Sequence, residues 1–264
     1  MIGCEHRQKR EIVAGWEVLR RHKPGPRTAK AGGLRRTACC TPLRVASWLF
    51  DIGPVIWNTP ARVKQSIVTL DMEGVLTPEI WIAVAEKTGI PELRRTTRDE
   101  PDYDKLMRGR LEILDRHGLR LKDIQEVIGS LAPLPGAREF LDDLRSRMQV
   151  LILSDTFEQF ASPLLRQLAW PTLLCHRLVV ENGNGRIIDY QLRIADQKKQ
   201  TVLALQRLNY RVVAAGDSFN DTAMLCAADK GILFRAPANV KAEFPQFPAV
   251  ETYAELTRLI EAEG

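Results

Sequence analysis

The sequence predicts an α/β fold in which helices cover both faces of a parallel sheet and a small helical cap follows the first strand. After residue 65, short apolar runs alternate with amphipathic segments, the order expected of such a sheet. Three of these runs end in acidic or hydroxyl residues. A helical stretch, 78–131, separates the first run from the second and is long enough to form the cap.

The strands are predicted from runs rich in β-branched and aliphatic residues. They are 66–71 (SIVTLD), 150–155 (VLILSD), 211–217 (RVVAAGD) and 230–234 (KGILF). A hairpin is expected over 172–193, turning at an Asn-Gly-Asn-Gly sequence. Apolar spacing and helix-start signals predict helices over 79–89, 103–118, 121–129, 137–147, 157–169, 198–209, 220–229 and 253–263.

These elements predict a Rossmann-like three-layer core formed by 66–77 and 132–264, with the cap at 78–131. The first 65 residues differ in charge: they hold 13 Lys/Arg against 4 Asp/Glu, whereas 66–264 hold 25 against 29. In residues 1–65, prolines and glycines interrupt any helical or strand periodicity. We predict that 1–65 is a basic, disordered or non-native extension; a targeting peptide is the alternative.

Composition excludes several functional classes. The mildly acidic main domain lacks the basic field on which nucleic-acid binding depends. No apolar run approaches the roughly 18 residues of a membrane-spanning helix, and the first residues lack the apolar segment of a secretion signal. We therefore expect a cytoplasmic protein that binds neither nucleic acid nor membrane. No GxxxxGK[ST] loop is present.

The first strand ends at Asp71, and a second acid, Glu73, follows two residues later. Two carboxylates so placed can act as nucleophile and as general acid/base. Gly74 allows a tight turn beside a ligand. Taken alone, the pattern is equally typical of an ordinary acidic turn after a strand.

A second acidic motif, GDSFND at 216–221, follows the third strand. Asp217 ends that strand, and Asp221 lies in the first turn of the next helix, where it could simply complement the helix dipole. However, the carboxyl ends of parallel strands share one edge of the sheet. There Asp71, Asp217 and Asp221 would repel one another unless a cation lay among them, and oxygen ligands of this kind suit Mg²⁺.

Phosphate-binding groups are predicted at the same edge. The hydroxyl of Ser154 and the backbone N–H of Asp155 could donate hydrogen bonds to phosphate oxygens. Lys198 and Lys199 begin a helix, a position that the helix dipole disfavours for cations, so one of them is a candidate phosphate ligand. The alternative is a solvated Lys-Lys pair. For Cys175–His176 we expect a buried thiol beside a surface histidine, since neighbours in a strand face opposite ways.

The acid–x–acid–Gly-Val-Leu-Thr sequence at 71–77, the serine of strand two, the lysine before a helix and GDSxND at 216–221 resemble the four motifs of the haloacid-dehalogenase superfamily. Within it the chain resembles phosphoserine phosphatases, in particular the subgroup that also transfers phosphate from phosphoserine to homoserine. The resemblance covers 66 to about 262.

The resemblance implies roles for individual residues. Asp71 would be the nucleophile and Glu73 the general acid/base. Mg²⁺ would be held by Asp71, the carbonyl oxygen of Glu73 and Asp217, with Asp221 supporting through water. The remaining implied ligands bind the substrate: Ser154 and Lys198 (preferred over Lys199) the phosphate, Glu79 the ammonium, Arg110 the carboxylate, and Asn220 the phosphate or substrate.

Glu73 departs from most phosphoserine phosphatases, which have aspartate there. The extra methylene is a feature of the transferase subgroup and could favour a larger acceptor than water. The alternatives are a phosphatase of another small phosphomonoester and a non-catalytic phospho-ligand binding protein. A homodimer is possible, with the 173–192 hairpin as a candidate pairing surface.

Overall fold

A seven-stranded sheet lies at the centre of the part of the chain that the structure, a computed structural model, describes: residues 64–96, 99–100 and 102–262. The predicted extension 1–65 falls almost entirely outside these residues. The strand order is β4-β3-β2-β1-β5-β6-β7, parallel except for the antiparallel pair β3–β4. The strands are β1 (Gln65–Leu70), β2 (Gln149–Phe157), β3 (Leu173–Val180), β4 (Ile187–Gln191), β5 (Tyr210–Gly216), β6 (Lys230–Phe234) and β7 (Ala249–Val250).

Helices occupy both faces of the sheet and the insertion after β1. Two short 3₁₀ turns, Pro91–Arg94 and Phe219–Asp221, accompany them. The α-helices are α1 (Ile80–Thr88), α2 (Tyr103–Arg116), α3 (Leu121–Gly129), α4 (Ala137–Arg147), α5 (Glu158–Gln167), α6 (Gln197–Arg207), α7 (Thr222–Ala227), α8 (Ala238–Glu243) and α9 (Tyr253–Glu261).

Strand β1 alternates its buried side chains between two apolar cores. Val68 and Leu70 belong to one core and Ile67 to the other, as the period of two in a strand requires. The first core continues into the cap, where Met107 and Ile124 belong to the same cluster. The predicted three-layer α/β fold with a cap after strand one is therefore confirmed, and the cap is anchored by apolar packing.

The central position of β1 brings distant acidic residues together. Leu70 pairs with Ile152 of β2 on one side and with Ala215 of β5 on the other. The pairing of β1 with β5 continues past Leu70, since the N–H of Asp71 donates to the carbonyl oxygen of Ala215 at 3.0 Å. Asp71, at the end of β1, and Asp217, just after β5, consequently leave the sheet side by side.

Three details differ from the sequence prediction. Strand β2 was predicted to end at Asp155 but continues to Phe157, because its pairing with β3 resumes opposite His176 after an irregularity. Helix α8 and strand β7 were not predicted; both are short, and β7 contains two residues.

Among the described residues, no helix has the length and apolar character needed to cross a membrane.

Candidate active site

A cleft of about 160 Å³ lies between the carboxyl ends of the strands and the cap. Nine of the ten predicted site residues line it; the tenth, Asp221, is fully buried behind them. Trp81, Tyr103 and Thr156 also line the cleft and were missed by sequence reasoning, since none belongs to a motif. The nine are Asp71, Glu73, Glu79, Arg110, Ser154, Asp155, Lys198, Asp217 and Asn220.

Asp71 is held at the base of the cleft through one carboxylate oxygen. Its Oδ1 accepts a hydrogen bond from the N–H of Met72 at 2.8 Å and lies 2.9 Å from Nζ of Lys198. Both side chains of this ion pair are more than nine-tenths buried. The structure thus brings Lys198 to Asp71, whereas Lys199 lies 4.0 Å from Asp196.

Asp221 holds Lys198 in place. Its Oδ1 accepts from Lys198 Nζ at 2.8 Å, and its Oδ2 accepts from the N–H groups of Asp217 and Ser218, each at 3.0 Å. The same oxygen accepts from the Ser218 hydroxyl at 3.1 Å. Both oxygens of Asp221 therefore have protein partners, and its direct contribution is to fix the lysine and the loop after β5.

Three carboxylates of the site, Asp71, Asp217 and Asp221, offer oxygens that all lie within 4.8 Å of one another. Burial and the neighbouring Asp221 raise the pKa of Asp71, although Lys198 opposes the shift. Burial, Asp221 and Glu79 raise the pKa of Asp217 to about 7. These raised pKa values reflect the crowding of carboxylates whose ionised forms Lys198 alone does not neutralise. An all-oxygen donor set of this kind fits a hard divalent cation such as Mg²⁺.

Close packing around Gly74 joins the two acidic loops. Gly74 has φ +77°, a left-handed conformation that favours glycine. A Cβ built on it would lie 2.4 Å from the carboxyl carbon of Asp217. Glycine at this position is therefore needed both for the turn and for the approach of Asp217 to Asp71.

The side chain of Glu73, a residue of the loop after β1, extends to the cap. Its Oε2 accepts a hydrogen bond at 2.8 Å from the backbone N–H of Ile80, the first residue of α1. Burial and the nearby Glu79 raise the pKa of Glu73 to about 7, although the bond from Ile80 opposes the shift. A carboxyl with a pKa near neutrality can both give and accept a proton at physiological pH.

Arg110, on α2, is a buried cation facing the cleft. Its Nη2 donates to the carbonyl oxygen of Arg95 at 2.7 Å, and its guanidinium lies 4.4 Å from the ring centroid of Trp81. Among the described residues it forms no salt bridge, and its Nε is buried without a hydrogen-bond partner. Burial lowers its pKa to about 10, so it remains charged at neutral pH. The site thus presents a buried cation without a salt bridge, although the carboxylates of Glu73 and Glu79 act on it electrostatically.

On the opposite wall, β2 supplies Ser154 and Asp155. Gln197 supports this wall, since its Nε2 donates to the carbonyl oxygen of Ser154 at 2.5 Å and lies 3.3 Å from Asp155 Oδ1. Burial raises the pKa of Asp155, but Lys198 and a bond from His176 outweigh it and lower that pKa to about 2.

The prediction for Cys175–His176 is wrong: His176 is buried and Cys175 is partly exposed. Burial of the imidazole is tolerated because both ring nitrogens have polar neighbours. Nδ1 accepts from the N–H of Arg193 at 3.2 Å, and Nε2 lies 3.5 Å from Asp155 Oδ1. His176 is thus part of the support behind the cleft, which no sequence motif indicated.

Comparison with known proteins assigns the chain to a family. The model of a hydrolase family, the haloacid dehalogenase-like hydrolases, matches residues 65–229. The chain belongs to this family. Among curated members, a phosphoserine phosphatase of Pseudomonas syringae pv. tomato is 62% identical over 205 residues, which cover 78% of this chain and 86% of the relative. Phosphoserine phosphatase ThrH of Pseudomonas aeruginosa is 64% identical over 194 residues, 74% of this chain and 94% of the relative.

Solved structures of phosphoserine phosphatases share the fold. A phospho-aspartyl intermediate analogue of phosphoserine phosphatase aligns with a TM-score of 0.62 and 18% identity, covering 75% of this chain and 99% of the other. A substrate-bound phosphoserine phosphatase complex aligns with the same TM-score, 19% identity and the same coverage. At these identities the likeness supports the α/β architecture.

Proposed function

We propose that the protein is a Mg²⁺-dependent phosphoserine phosphatase that forms an aspartyl phosphate on Asp71 and also transfers the phosphoryl group to homoserine. The observation that carries the proposal is the pairing of Asp71 with Lys198 at the base of a cleft that also holds an unpaired buried arginine. The names of the relatives that are 62% and 64% identical support the same substrate.

The cleft offers complementary groups for each charge of phosphoserine. Arg110 presents a planar guanidinium that can bind both oxygens of a carboxylate, and such an anion would supply the partner that it lacks. Glu79, which precedes α1 and lines the cleft, suits the ammonium group. Lys198 and the Ser154 hydroxyl suit the phosphoryl oxygens.

Asp71, Asp217 and the carbonyl oxygen of Glu73 would hold Mg²⁺, with Asp221 behind them. A bound Mg²⁺ would neutralise part of the charge of the phosphate dianion that otherwise repels an attacking carboxylate. Lys198 supplies a second positive charge, and Asp221 keeps it directed at Asp71.

In the first step, a carboxylate oxygen of Asp71 attacks phosphorus while the bond from phosphorus to the serine oxygen breaks. The protonated carboxyl of Glu73 gives its proton to the departing oxygen, so serine leaves as a neutral alcohol. The pKa of Glu73, raised to about 7 by burial and Glu79, makes this donation feasible near neutrality.

In the second step, the Glu73 carboxylate takes a proton from water or from the homoserine hydroxyl. The oxygen of that acceptor attacks phosphorus, the acyl phosphate bond breaks, and the Asp71 carboxylate is regenerated. Water yields inorganic phosphate and homoserine yields phosphohomoserine. The longer side chain at Glu73, compared with aspartate, supports the use of the larger acceptor.

The proposal is tested by incubating the purified full chain with phosphoserine and Mg²⁺, with and without homoserine. Serine, inorganic phosphate and phosphohomoserine are quantified. We expect serine release that requires Mg²⁺, is abolished in Asp71→Asn and falls at least a hundredfold in Lys198→Ala, since a buried ion pair and a phosphate ligand are lost together. Lys199→Ala is the matched control and should retain activity. Serine release by Asp71→Asn would refute the covalent step, and phosphate as the only product would refute transfer.

Two further parts of the proposal concern context. A homodimer through the β3–β4 hairpin is supported by Ile188 and Leu192, which are 48% and 46% exposed; light scattering of the purified chain measures it, and a monomer would refute it. A cytoplasmic location and the absence of nucleic-acid binding remain predictions from the sequence.

A further inference from the structure

A hydrogen bond joins Glu73, the proposed acid/base of the core, to a backbone N–H of the cap. Glu73 lies in the loop after β1, yet its Oε2 bonds at 2.8 Å to the N–H of Ile80, the first residue of α1. The residue before α1, Glu79, caps the helix with no side-chain bond of its own. Glu73 therefore satisfies a helix N–H that the local sequence leaves without a partner.

We infer that the N–H of Ile80 is a positioning group for proton transfer: it holds one oxygen of Glu73 and leaves the other, Oε1, to face the substrate. The inference rests on the proposed function of Glu73 as general acid/base and adds the element that orients it. Because the donor belongs to α1, the proton-transfer group is correctly placed only while the cap is docked on the core.

Side-chain length is essential to this arrangement. The carboxylate must leave the loop that carries Asp71 and cross to the start of α1, seven residues further along the chain. The side chain is partly buried, which favours a conformation that keeps its hydrogen bond to Ile80. Aspartate, one methylene shorter, would lose either the bond to Ile80 or its reach toward the substrate.

The helix itself strengthens the bond. The N-terminal N–H groups of an α-helix lack intrahelical acceptors and carry a partial positive charge, which favours a carboxylate. A hydrogen bond from a backbone N–H to a charged oxygen is also stronger than one between two neutral groups. Loss of the N–H should therefore leave Glu73 present but free to rotate.

Ile80→Pro tests the inference because proline lacks this N–H, although the substitution also replaces a side chain that is fully buried in the apolar core. Proline is well tolerated at the first position of a helix. Glu79, with φ −62° and ψ 114°, already has the extended conformation that a residue before proline prefers. Ile80→Val keeps the N–H while trimming this buried side chain and so shows how sensitive the site is to a loss of packing at residue 80.

With phosphoserine and Mg²⁺ we expect kcat of Ile80→Pro to fall roughly tenfold to hundredfold below that of Ile80→Val, because a charge-assisted hydrogen bond that orients the acid/base is lost. KM should stay within about threefold, since the groups that bind substrate are unchanged. Equal kcat values for the two variants, or a change confined to KM, would overturn the inference.

A double-mutant cycle with Glu73→Gln separates positioning from general damage. Once the acid/base is absent, adding Ile80→Pro should lower kcat by no more than about twofold, because two groups that act together are non-additive. An equal fall in both backgrounds would mean a structural effect and would refute the inference. If Ile80→Pro does not fold, replacing the amide N–H of residue 80 by an ester oxygen removes the donor and keeps the isoleucine side chain, with the same expectations.

Failure of the inference is distinguishable from failure of the proposed function. A wild-type protein without phosphoserine phosphatase activity would refute the function itself. An active wild type in which Ile80→Pro equals Ile80→Val would leave the function standing and remove only the positioning role.

Discussion

Replacement of Asp217 by asparagine should make the metal-free protein more stable and at the same time inactive. Burial, Asp221 and Glu79 raise the pKa of Asp217 from 3.8 to about 7. In the absence of a cation, the folded protein therefore carries a charge at neutral pH that its surroundings disfavour. Asparagine removes that charge and keeps nearly the same shape.

The size of the effect follows from the shift in pKa. Each pKa unit corresponds to about 1.4 kcal/mol, so a shift from 3.8 to about 7 gives an upper value of about 4 kcal/mol. The sign follows from linkage. Because the folded pKa is raised, the folded state is not penalised below about pH 4, and stability is lost as the pH rises to about 7. The advantage of Asp217→Asn should therefore be at most about 4 kcal/mol at pH 8 and at most about 2 kcal/mol at pH 5, and larger at the higher pH.

Urea unfolding of the wild type and of Asp217→Asn in EDTA, at pH 8 and at pH 5, measures this difference. Added Mg²⁺ should raise the midpoint of the wild type more than that of the variant, because ligand binding to the folded state stabilises it. Asp189→Asn is the matched control: that side chain is 48% exposed, and its replacement should change stability by less than about 0.5 kcal/mol.

The reasoning is refuted if Asp217→Asn is less stable than the wild type in EDTA at pH 8. A difference between the two proteins that does not change between pH 5 and pH 8 would also refute it, because the gain would then not come from ionisation. High phosphatase activity of the variant would show that Asp217 is not needed for catalysis.

Three further predictions follow from the geometry of the cleft. Gly74→Ala should lower kcat at least a hundredfold and abolish the Mg²⁺-dependent rise in melting temperature, because its Cβ would lie 2.4 Å from the Asp217 carboxyl carbon; retained Mg²⁺ stabilisation would contradict this. Arg110→Lys should raise KM for phosphoserine at least tenfold but change hydrolysis of p-nitrophenyl phosphate, which has no carboxylate, less than threefold; an equal loss for both would contradict carboxylate binding. Glu73→Asp should lower the ratio of phosphohomoserine to inorganic phosphate in the homoserine assay, and an unchanged ratio would contradict the role of side-chain length.

Local sequence was sufficient to predict the fold and the acidic edge of the sheet. Runs such as 66–71 and 211–217 have the hydropathy of buried strands, and strand polarity alone places the acids that follow them at one edge. The cap was predictable because a helical insertion between two strands must lie over that edge. These features depend on residues that are adjacent in sequence, so they can be predicted without knowledge of contacts between distant parts of the chain.

The partners of each site residue were decided by tertiary structure. Lys198 and Lys199 are equivalent in sequence, and only the packing of α6 against the sheet brings Lys198 to Asp71 and Asp221. Arg110 resembles a surface residue of an amphipathic helix until α2 is docked and buries it. His176 was assigned to the wrong face for a related reason: its polar partners come from β2 and from the chain after β4. Whether a polar side chain is buried depends on hydrogen-bond partners distant in sequence, and no local pattern specifies them.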